Sequence, residues 1–535
     1  MRPIPHSWLN RWLLCLCAWT LSASAAWALS PADALQLVSG DSDTRIAALN
    51  RLATAKDEQA AALIRALADE AVRVEGEQVL ILQADGSAVN AVTGAAVAPP
   101  EFAEEPMLNN RLRGALATAL AGMDLVGGDA ARQREAALIL QRGSFDEPDA
   151  DQLPLIESAL ATNLDAEARQ MLELAQAAIL LASEDPAQRL AAAEKLGEAR
   201  KAIVRPLLQQ RMEAETDVAV KAALKSSLDS LERSLAISSG LAEAFTGISL
   251  GSILLLAALG LAITYGLMGV INMAHGELIM IGAYATWLVQ SFFRESLPGL
   301  FDWYLLAAVP LAFLASALVG AVMERTVIRF LYGRPLETLL ATWGISLVLM
   351  QGVRSIFGAQ NVGVENPSWM SGNVVLMGNL TLPWNRIVII GFALAVLVGV
   401  ALLISRTRLG LFVRGVTQNR PIASCMGVNT ARIDTYAFAL GSGIAGLAGC
   451  ALSQIGNVGP DLGQNYIVDS FMVVVLGGVG QLAGTVYAAL GLGLLNKFIE
   501  GWAGAVLAKI AVLVFIIVFI QKRPQGIFAM KGREA

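Results

Sequence analysis

The stretch GLMGVINMAHGELIMIGAY, residues 266–284, places Asn272, His275 and Glu277 inside an otherwise apolar run. The residues before it, ISLGSILLLAALGLAITY at 248–265, are apolar for long enough to form most of a bilayer-spanning helix. An ionisable side chain at membrane depth costs on the order of 3 kcal/mol or more, so it usually faces a bundle interior, a partner or a water-filled path. The sequence therefore predicts a membrane protein with a polar feature inside its helical part.

Two interpretations of this stretch stay open at this point. In the first, His275 and Glu277 lie at the membrane interface and cap a helix turn. In the second, a broken or polar segment lines a route across the membrane, because its glycines let helices bend or approach closely. Those glycines are Gly266, Gly269, Gly276 and Gly282.

The 535-residue chain joins two parts of different composition. It is 55% hydrophobic, which is too apolar for a single soluble domain. Residues 30–235 contain 33 acidic and 20 basic residues, whereas residues 236–535 contain 12 and 17. We expect a signal peptide over 1–28, a periplasmic and mostly helical domain over 29–238, and a transmembrane domain over 239–535.

The first 28 residues have the pattern of a secretory signal. Arg2 and Arg11 give a positive start, residues 13–21 form a short apolar core, and residues 26–28, Ala-Trp-Ala, fit a small-x-small cleavage site. The alternative is an uncleaved anchor, and in both cases the following domain is exported.

The exported part is rich in Ala, Leu, Glu and Arg at helical spacing. DTRIAALNRLA at 43–53 resembles DPAQRLAAAEKLG at 185–197, with Arg45 to Leu52 aligned with Arg189 to Leu196, and RQREAALILQ at 132–141 is a weaker third copy. Repeated amphipathic helices predict a HEAT-like stack, although Ala-rich helices also resemble one another by composition. Residues 74–94 break this pattern, because β-branched runs flank the turn dipeptide at 85–86, Asp-Gly, and predict a hairpin. The many carboxylates predict a solvated surface, with docking of an extracytoplasmic partner as the alternative.

The C-terminal part contains a series of apolar segments. They lie near 248–268, 271–293, 304–323, 338–357, 386–405, 434–455, 467–480, 483–499 and 505–520. We predict about eight or nine spans, some of them broken or short, and therefore an all-α polytopic membrane protein with a helical exported domain in front.

Basic residues predict the orientation of these spans. The segments 323–335, 405–420 and 521–533 are rich in Arg and Lys and should be cytoplasmic, whereas 294–303 and 358–379 are poor in bases and should lie outside. For the C-terminus to end in the cytoplasm, residues 467–499 must form a hairpin of two short segments.

Several classes of function lack the residues they need. The histidines are His6 and His275, the cysteines are Cys15, Cys17, Cys425 and Cys450, and these give no zinc cluster. No Gly-Lys pair occurs, which excludes a P-loop, and no Ser/His/Asp set is plausible. We expect no catalysis, no cofactor, no metal and no nucleic-acid partner, so energy for uphill transport must come from another protein or from an ion gradient.

A second intramembrane carboxylate, Asp469, lies in YIVDSFMVVVLGG at 466–478 and is expected to be buried. It either pairs with Lys497 or Lys509 or faces the route. Asp469 joins the three polar residues of 266–284 as a candidate for the substrate path. A neutral solute needs hydrogen-bonding groups there rather than a charge clamp.

Four segments resemble the permeases of ATP-binding cassette importers of the branched-chain amino acid and urea type. They are INMAHGELIMIGAY (271–284), PLETLLATWGISLVLMQ (335–351), TRLGLFVRGVTQNRPIASCMGVNT (407–430) and GPDLGQNYIVDSFMVVVLGGVGQLAGT (459–485). The resemblance covers about 240–533. Most members lack a large exported front domain, and its presence here is similar to the urea-type permease of bacteria.

The resemblance implies a multi-pass subunit of an importer in the bacterial inner membrane. Its implied partners are cytoplasmic ATP-binding subunits, a second related permease, a periplasmic solute-binding protein and the lipid bilayer. The implied solute is urea or a short amide. The alternatives are a branched-chain amino acid importer permease and a passive urea or amide channel without an ATPase. A sensor with a membrane anchor is disfavoured, because an anchor needs only one span.

The resemblance also implies a role for residues 405–433, where these permeases dock their ATPase. The positions that match the family pattern are Arg406, Gly410, Arg414, Ala423, Gly427 and Asn429. From the residues alone, this stretch is either a positively charged anchor or a short helix along the membrane that receives force from a partner.

Overall fold

The computed structural model describes residues 29–54, 57–83, 86–98, 103–127, 129–376 and 379–528. The expected signal peptide lies outside these residues. The chain divides into two compact units, and the boundary between them in the sequence lies between Leu235 and Ala236.

The first unit consists of short helices with one small sheet. Helices α1–α3 are Pro31–Val38, Ser42–Thr54 and Glu58–Ala68. Strands β1–β4 follow as Val72–Glu75, Gln78–Leu82, Ala88–Asn90 and Ala96–Val97, and they pair antiparallel in chain order. Helices α4–α9 are Asn110–Gly127, Ala130–Asp146, Leu153–Leu160, Ala166–Leu180, Pro186–Ala199 and Arg205–Ala214. The hairpin expected at 74–94 is present as part of this larger sheet, with Leu82 opposite Ala88. Its predicted turn residue Asp85 lies outside the described ranges.

The three aligned repeat segments fold as helices α2, α5 and α8. Two of them share a buried arginine at the aligned position. Arg45 in α2 donates from Nε to the carbonyl oxygen of Leu37 at 2.9 Å, and Arg189 in α8 donates from Nη1 to the carbonyl oxygen of Ser183 at 3.0 Å. Each arginine therefore donates to a carbonyl oxygen in or just after the preceding helix, where the last carbonyl groups have no N–H donor within the helix.

Arg189 also holds a carboxylate whose pKa is strongly lowered. Its Nε and Nη2 lie 2.9 and 3.0 Å from the two carboxylate oxygens of Glu215, and Arg211 Nε lies 3.1 Å from Oε2. Glu215 is buried, and its hydrogen bonds, first of all that from Arg189, lower its pKa to about 2. The pair ties α8 to the residue that follows α9.

In its described residues, the second unit consists of helices joined by loops, with a two-stranded hairpin between two of them. Helix α10, Val218–Met268, begins before this unit and ends in it. Helices α11–α20 are His275–Ser296, Tyr304–Thr326, Pro335–Phe357, Trp384–Arg406, Arg408–Gln418, Arg420–Cys425, Thr430–Ser453, Leu462–Gly477, Leu482–Ala503 and Ala505–Lys522. Strands β5 and β6 are Asn373–Val375 and Thr381–Pro383.

Among the described residues, seven of these helices are long and apolar enough to cross a membrane: α10, α12, α13, α14, α17, α19 and α20. Helix α11, with 22 residues, and the shorter α18, with 16, account for the two remaining predicted segments. The predicted all-α polytopic fold is confirmed. Helix α10 differs from the prediction in its start, because it begins at Val218 rather than near 248.

Helices α10 and α17 form the centre of the second unit. In each of them, 83% of an apolar stretch of 18 residues is buried, whereas the corresponding share in the other spans is 17–33%. Glycines allow this packing. A Cβ on Gly449 in α17 would lie 1.9 Å from the carbonyl oxygen of Ile279 in α11. The outer helices instead expose apolar side chains suited to lipid or a partner.

The two segments predicted at 467–499 are present as α18 and α19, but α19, with 22 residues, is not short and is long enough to cross a membrane by itself. Residues 478–481 separate the two helices, and a Cβ on Gly484 would lie 1.9 Å from the carbonyl oxygen of Gly477. This close backbone approach explains why both positions are glycine.

The three basic segments lie at one end of the second unit. Arg325 Nε donates to Thr435 Oγ1 at 3.1 Å, which joins the segment 323–335 to the start of α17. The backbone N–H of Ile527 donates to the carbonyl oxygen of Leu476 at 2.8 Å, which brings the C-terminal segment to the end of α18. The base-poor loops meet at the other end of α12, where Trp369 Nε1 donates to the carbonyl oxygen of Asp302 at 2.9 Å.

Candidate functional site

The candidate site begins where α10 ends. The chain leaves the helix after Met268, turns at Gly269 with φ +63°, and re-enters a helix only at His275. His275 contacts Ala257, about three turns before the end of α10, or on the order of 16 Å along its axis. Residues 269–274 therefore double back along α10, and α11 begins part-way along its length. Residues 269–274 are therefore not helical, and they lie in the stretch that the second interpretation expected to be broken or polar.

His275 is completely buried against α10. Its Nε2 lies 2.9 Å from the carbonyl oxygen of Ala257, and this hydrogen bond assigns the proton to Nε2. Its Nδ1 is then an acceptor, and it has no partner within the described part of the chain. Gly260 makes room for the ring, because a Cβ there would lie 2.9 Å from its Cε1.

Glu277 and Asn272 are each 1% exposed and only partly satisfied. Glu277 Oε1 accepts a hydrogen bond from Ser346 Oγ at 2.7 Å, and Asn272 Oδ1 accepts one from the backbone N–H of Ala274 at 3.0 Å. Glu277 Oε2 and Asn272 Nδ2 have no partner among the residues that the structure describes. The residues in and just after the break thus carry one unpaired donor, Asn272 Nδ2, and two unpaired acceptors, His275 Nδ1 and Glu277 Oε2, in the described part of the chain.

Helix α13 supplies hydroxyl groups that sequence reasoning missed. Ser346 holds Glu277, and Thr342 Oγ1 accepts a hydrogen bond from the backbone N–H of Met273 at 3.2 Å. Thr338, Thr342 and Ser346 recur at every fourth residue and are all buried, so they form one polar stripe on α13. This spacing was visible in the sequence at 335–351.

Asp469 makes no hydrogen bond with this group in the part of the chain that the structure describes. It is half-buried rather than buried, and it makes no hydrogen bond or ion pair within the described ranges. Of its two expected partners, Lys497 lies 2.7 Å from Glu500 instead, whereas Lys509 interacts electrostatically with Asp469 without forming an ion pair. The physical reason is its position on α18, where Ile467 and Ser470 occupy the packed face and Asp469 falls beside it.

The segment 405–433 folds as the two short helices α15 and α16 after α14. Arg406 is exposed at the end of α14, and a Cβ on Gly410 would lie only 2.0 Å from the carbonyl oxygen of Ile404. Arg414 Nε donates back to the carbonyl oxygen of Gly410 at 3.3 Å. The turn between α14 and α15 therefore requires glycine at position 410.

The second half of this segment is fixed to the start of α17. Ala423 is buried in a small cluster with Val416 and Ile433. Gly427 has φ +85°, a conformation that favours glycine, and Asn429 caps α17 by accepting a hydrogen bond from the backbone N–H of Arg432 at 3.1 Å. The six matched positions thus belong to one compact helical element rather than to an extended linker.

In the described residues, no group of three or more His, Cys, Asp or Glu side chains could hold a metal ion.

Comparison with known proteins gives a family for the second unit. A family model described as branched-chain amino acid transport system, permease component, matches residues 244–521. The high-affinity branched-chain amino acid transport system permease protein BraD of Pseudomonas aeruginosa is 28% identical over 297 residues, which cover 54% of this chain and 95% of BraD. LivH of Escherichia coli, a permease of the same description, is 27% identical over 296 residues, covering 54% and 94%.

A more distant relative is the ribose import permease protein RbsC of Escherichia coli, 27% identical over 143 residues that cover 25% of this chain and 38% of RbsC. No solved structure matches. The family model covers more than half of the chain and the whole helix break with its polar side chains. The chain therefore belongs to the family of branched-chain amino acid transport system permease components.

Proposed function

We propose that the chain is the transmembrane permease subunit of an ATP-driven, binding-protein-dependent importer, and that its solute is a branched-chain amino acid. The observation that carries the proposal is the set of unpaired polar atoms at the helix break, Asn272 Nδ2, His275 Nδ1 and Glu277 Oε2. Leaving a buried polar atom without a partner costs about 1–3 kcal/mol, so three of them beside a broken membrane helix favour a binding function.

The chemistry of these atoms suits a zwitterion. The Glu277 carboxylate and His275 Nδ1 accept hydrogen bonds from an ammonium group, while Asn272 Nδ2 donates to a carboxylate. The N-terminus of α11 at His275 adds a favourable dipole for negative charge. The two relatives that cover the second unit are described as branched-chain amino acid permeases, which further supports this solute.

The urea or short-amide solute implied by the resemblance is the second candidate. A carboxylate, an imidazole acceptor and an amide also satisfy the N–H and C=O groups of a neutral amide. The comparisons lend support to the amino acid and none to urea, so we place the amino acid first. RbsC, described as a ribose permease, illustrates that related chains differ in solute.

We infer that ATP hydrolysis occurs on separate cytoplasmic subunits, because the chain contains no P-loop. The docking element would be α15 and α16, with Arg406, Gly410, Arg414, Ala423, Gly427 and Asn429 at the matched positions. Leu411, Ile422 and Met426 in this element are 60%, 60% and 79% exposed, which suits a partner surface. A second related permease and a periplasmic solute-binding protein would complete the importer.

The proposed orientation places the first unit in the periplasm and the C-terminus in the cytoplasm. The clustering of the basic segments at one end of the second unit supports it, because basic loops are retained in the cytoplasm. Asp469 remains a candidate for the path only if the route passes along α18.

The test is uptake of labelled leucine and labelled urea by cells that express the chain with its partner subunits. We expect leucine to accumulate above its outside concentration, and to stop doing so without the ATPase. Glu277→Gln should lower the rate at low solute concentration by at least about tenfold, or about 1.4 kcal/mol. Glu295→Gln is the matched control, because Glu295 is exposed on the same helix.

Three outcomes would contradict parts of this proposal. Equilibrating uptake that survives loss of the ATPase would identify a passive channel. Accumulation of urea without leucine would keep the importer and change its solute. Wild-type uptake by the Glu277→Gln variant would show that the helix break is not part of the solute path.

A further inference from the structure

Tyr332 lies in the turn between α12 and α13, at the basic end of the second unit. Its hydroxyl donates to Glu324 Oε1 at 2.9 Å and lies 3.2 Å from the sulfur of Met268. Met268 is the last residue of α10, and the broken segment with Asn272 follows it directly. The hydroxyl therefore contacts the point at which the helix break begins.

The ring of Tyr332 contacts the docking element. The guanidinium carbon of Arg420, the first residue of α16, lies 5.0 Å from the ring centre. This is a cation–π geometry, and it is favourable where the charge is partly desolvated. Arg420 also forms an ion pair with Asp434 in α17, whose side chain is 4% exposed. One aromatic side chain thus links α16 to the end of α10.

The remaining partners hold this group in one arrangement. Glu324 is buried, and its Oε2 accepts a hydrogen bond from Thr435 Oγ1 at 2.7 Å, while Arg325 Nε donates to the same hydroxyl at 3.1 Å. Both oxygens of Glu324 are therefore satisfied by different elements. In a buried polar network of this kind, losing one contact leaves another group unpaired, so the network holds Tyr332 in one position until α16 moves.

We propose that Tyr332 is a positioning residue that couples the docking element to the helix break. When a bound ATPase displaces α16, Arg420 carries the Tyr332 ring with it, and the hydroxyl withdraws from Met268 and Glu324. The end of α10 and residues 269–274 then lose a fixed contact and are free to rearrange around Asn272, His275 and Glu277. This inference rests on the proposed function and adds the route by which the ATPase acts on the solute site.

The experiment uses the full complex, with ATP-binding subunits and binding protein, reconstituted in liposomes. Transport and ATP hydrolysis are measured together, and their ratio is the readout. Tyr332→Phe removes the hydroxyl and keeps the ring beneath Arg420. We expect ATP hydrolysis to continue while solute moved per ATP falls at least about fivefold, the lower range for coupling between sites.

Tyr436→Phe is the matched control, because Tyr436 on α17 is 54% exposed, and it should keep the wild-type ratio. Accumulation by the wild-type complex tests the proposed function separately. If the wild type accumulates solute and Tyr332→Phe keeps the same ratio, the coupling role is overturned and the importer stands. A variant that lowers transport and ATP hydrolysis equally, or raises only the KM for solute, also overturns it.

Met268→Leu provides a second test that does not depend on the folding of the Tyr332 variant. It removes the sulfur contact at nearly constant volume, which cores tolerate. We expect the same direction of change, a lower amount of solute per ATP at unchanged assembly. An unchanged ratio for Met268→Leu would overturn the coupling role of the contact between Tyr332 and the end of α10.

Discussion

Gly446 lies where α17 meets α11 and α12, and its replacement by alanine tests that packing. A Cβ at position 446 in α17 would lie 2.4 Å from the carbonyl oxygen of Ala312 and 2.5 Å from Ser316 Oγ, both in α12. From the other side, a Cβ on Gly282 in α11 would lie 2.2 Å from the carbonyl oxygen of Gly446. Neither neighbour at 446 is the end of a long, flexible side chain.

The expected cost follows from this geometry. The closest approach must open from 2.4 Å to at least 3.0 Å, which separates α17 from α12. Overpacking by one methyl group costs about 1–3 kcal/mol, and alanine recovers about 0.5–1 kcal/mol of helix propensity relative to glycine. We expect Gly446→Ala to be destabilised by about 1–2 kcal/mol. The change should also disturb the hydrogen bond from Ser316 Oγ to the carbonyl oxygen of Leu278, beside Glu277.

The assay is hydrogen exchange of α17 peptides in the purified full chain, which reports local unfolding free energy. Gly491→Ala is the matched control, because a Cβ on this helical glycine in α19 meets nothing within 4 Å. That variant should exchange like the wild type or more slowly. Wild-type protection of α17 in Gly446→Ala would refute the reasoning, since it would mean that the helices separate at no cost.

Two further predictions concern the docking element and the first unit. Gly410→Ala should lower ATPase binding by at least about tenfold, because a Cβ at position 410 would lie 2.0 Å from the carbonyl oxygen of Ile404. Gly415→Ala is the matched control and should bind the ATPase normally, because a Cβ there meets nothing within 4 Å. Equal ATPase binding by the two variants would contradict the docking role. Glu215→Gln should destabilise the first unit by about 3–5 kcal/mol at pH 7, measured by hydrogen exchange of peptides from α8. The folded-state pKa of Glu215 is about 2 against an ordinary value of 4.5, so its contribution is fully present above pH 4.5 and is lost as pH falls toward 2. The difference between wild type and variant should narrow over that window, and a difference independent of pH would contradict the ion pair.

The sequence by itself determined the membrane class, the position of most apolar segments and the polar character of the stretch 266–284. These are local properties, because the cost of placing Asn272, His275 and Glu277 in lipid depends only on their neighbours in the chain. The hairpin at 467–499 followed from length and from the side on which the basic segments must lie. The identity of the solute did not follow, since the same polar groups can bind an amino acid or an amide.

Only the tertiary structure decided which groups are satisfied. Ser346 lies 69 positions from Glu277, and Tyr332 lies 64 positions from Met268, so neither contact has a local sequence pattern. Asp469 was expected to be buried from its apolar neighbours, but the rotation of α18 places it beside the packed face. Burial, pairing and coupling depend on which helix faces meet, and that is fixed by close backbone approaches at glycines distant in sequence.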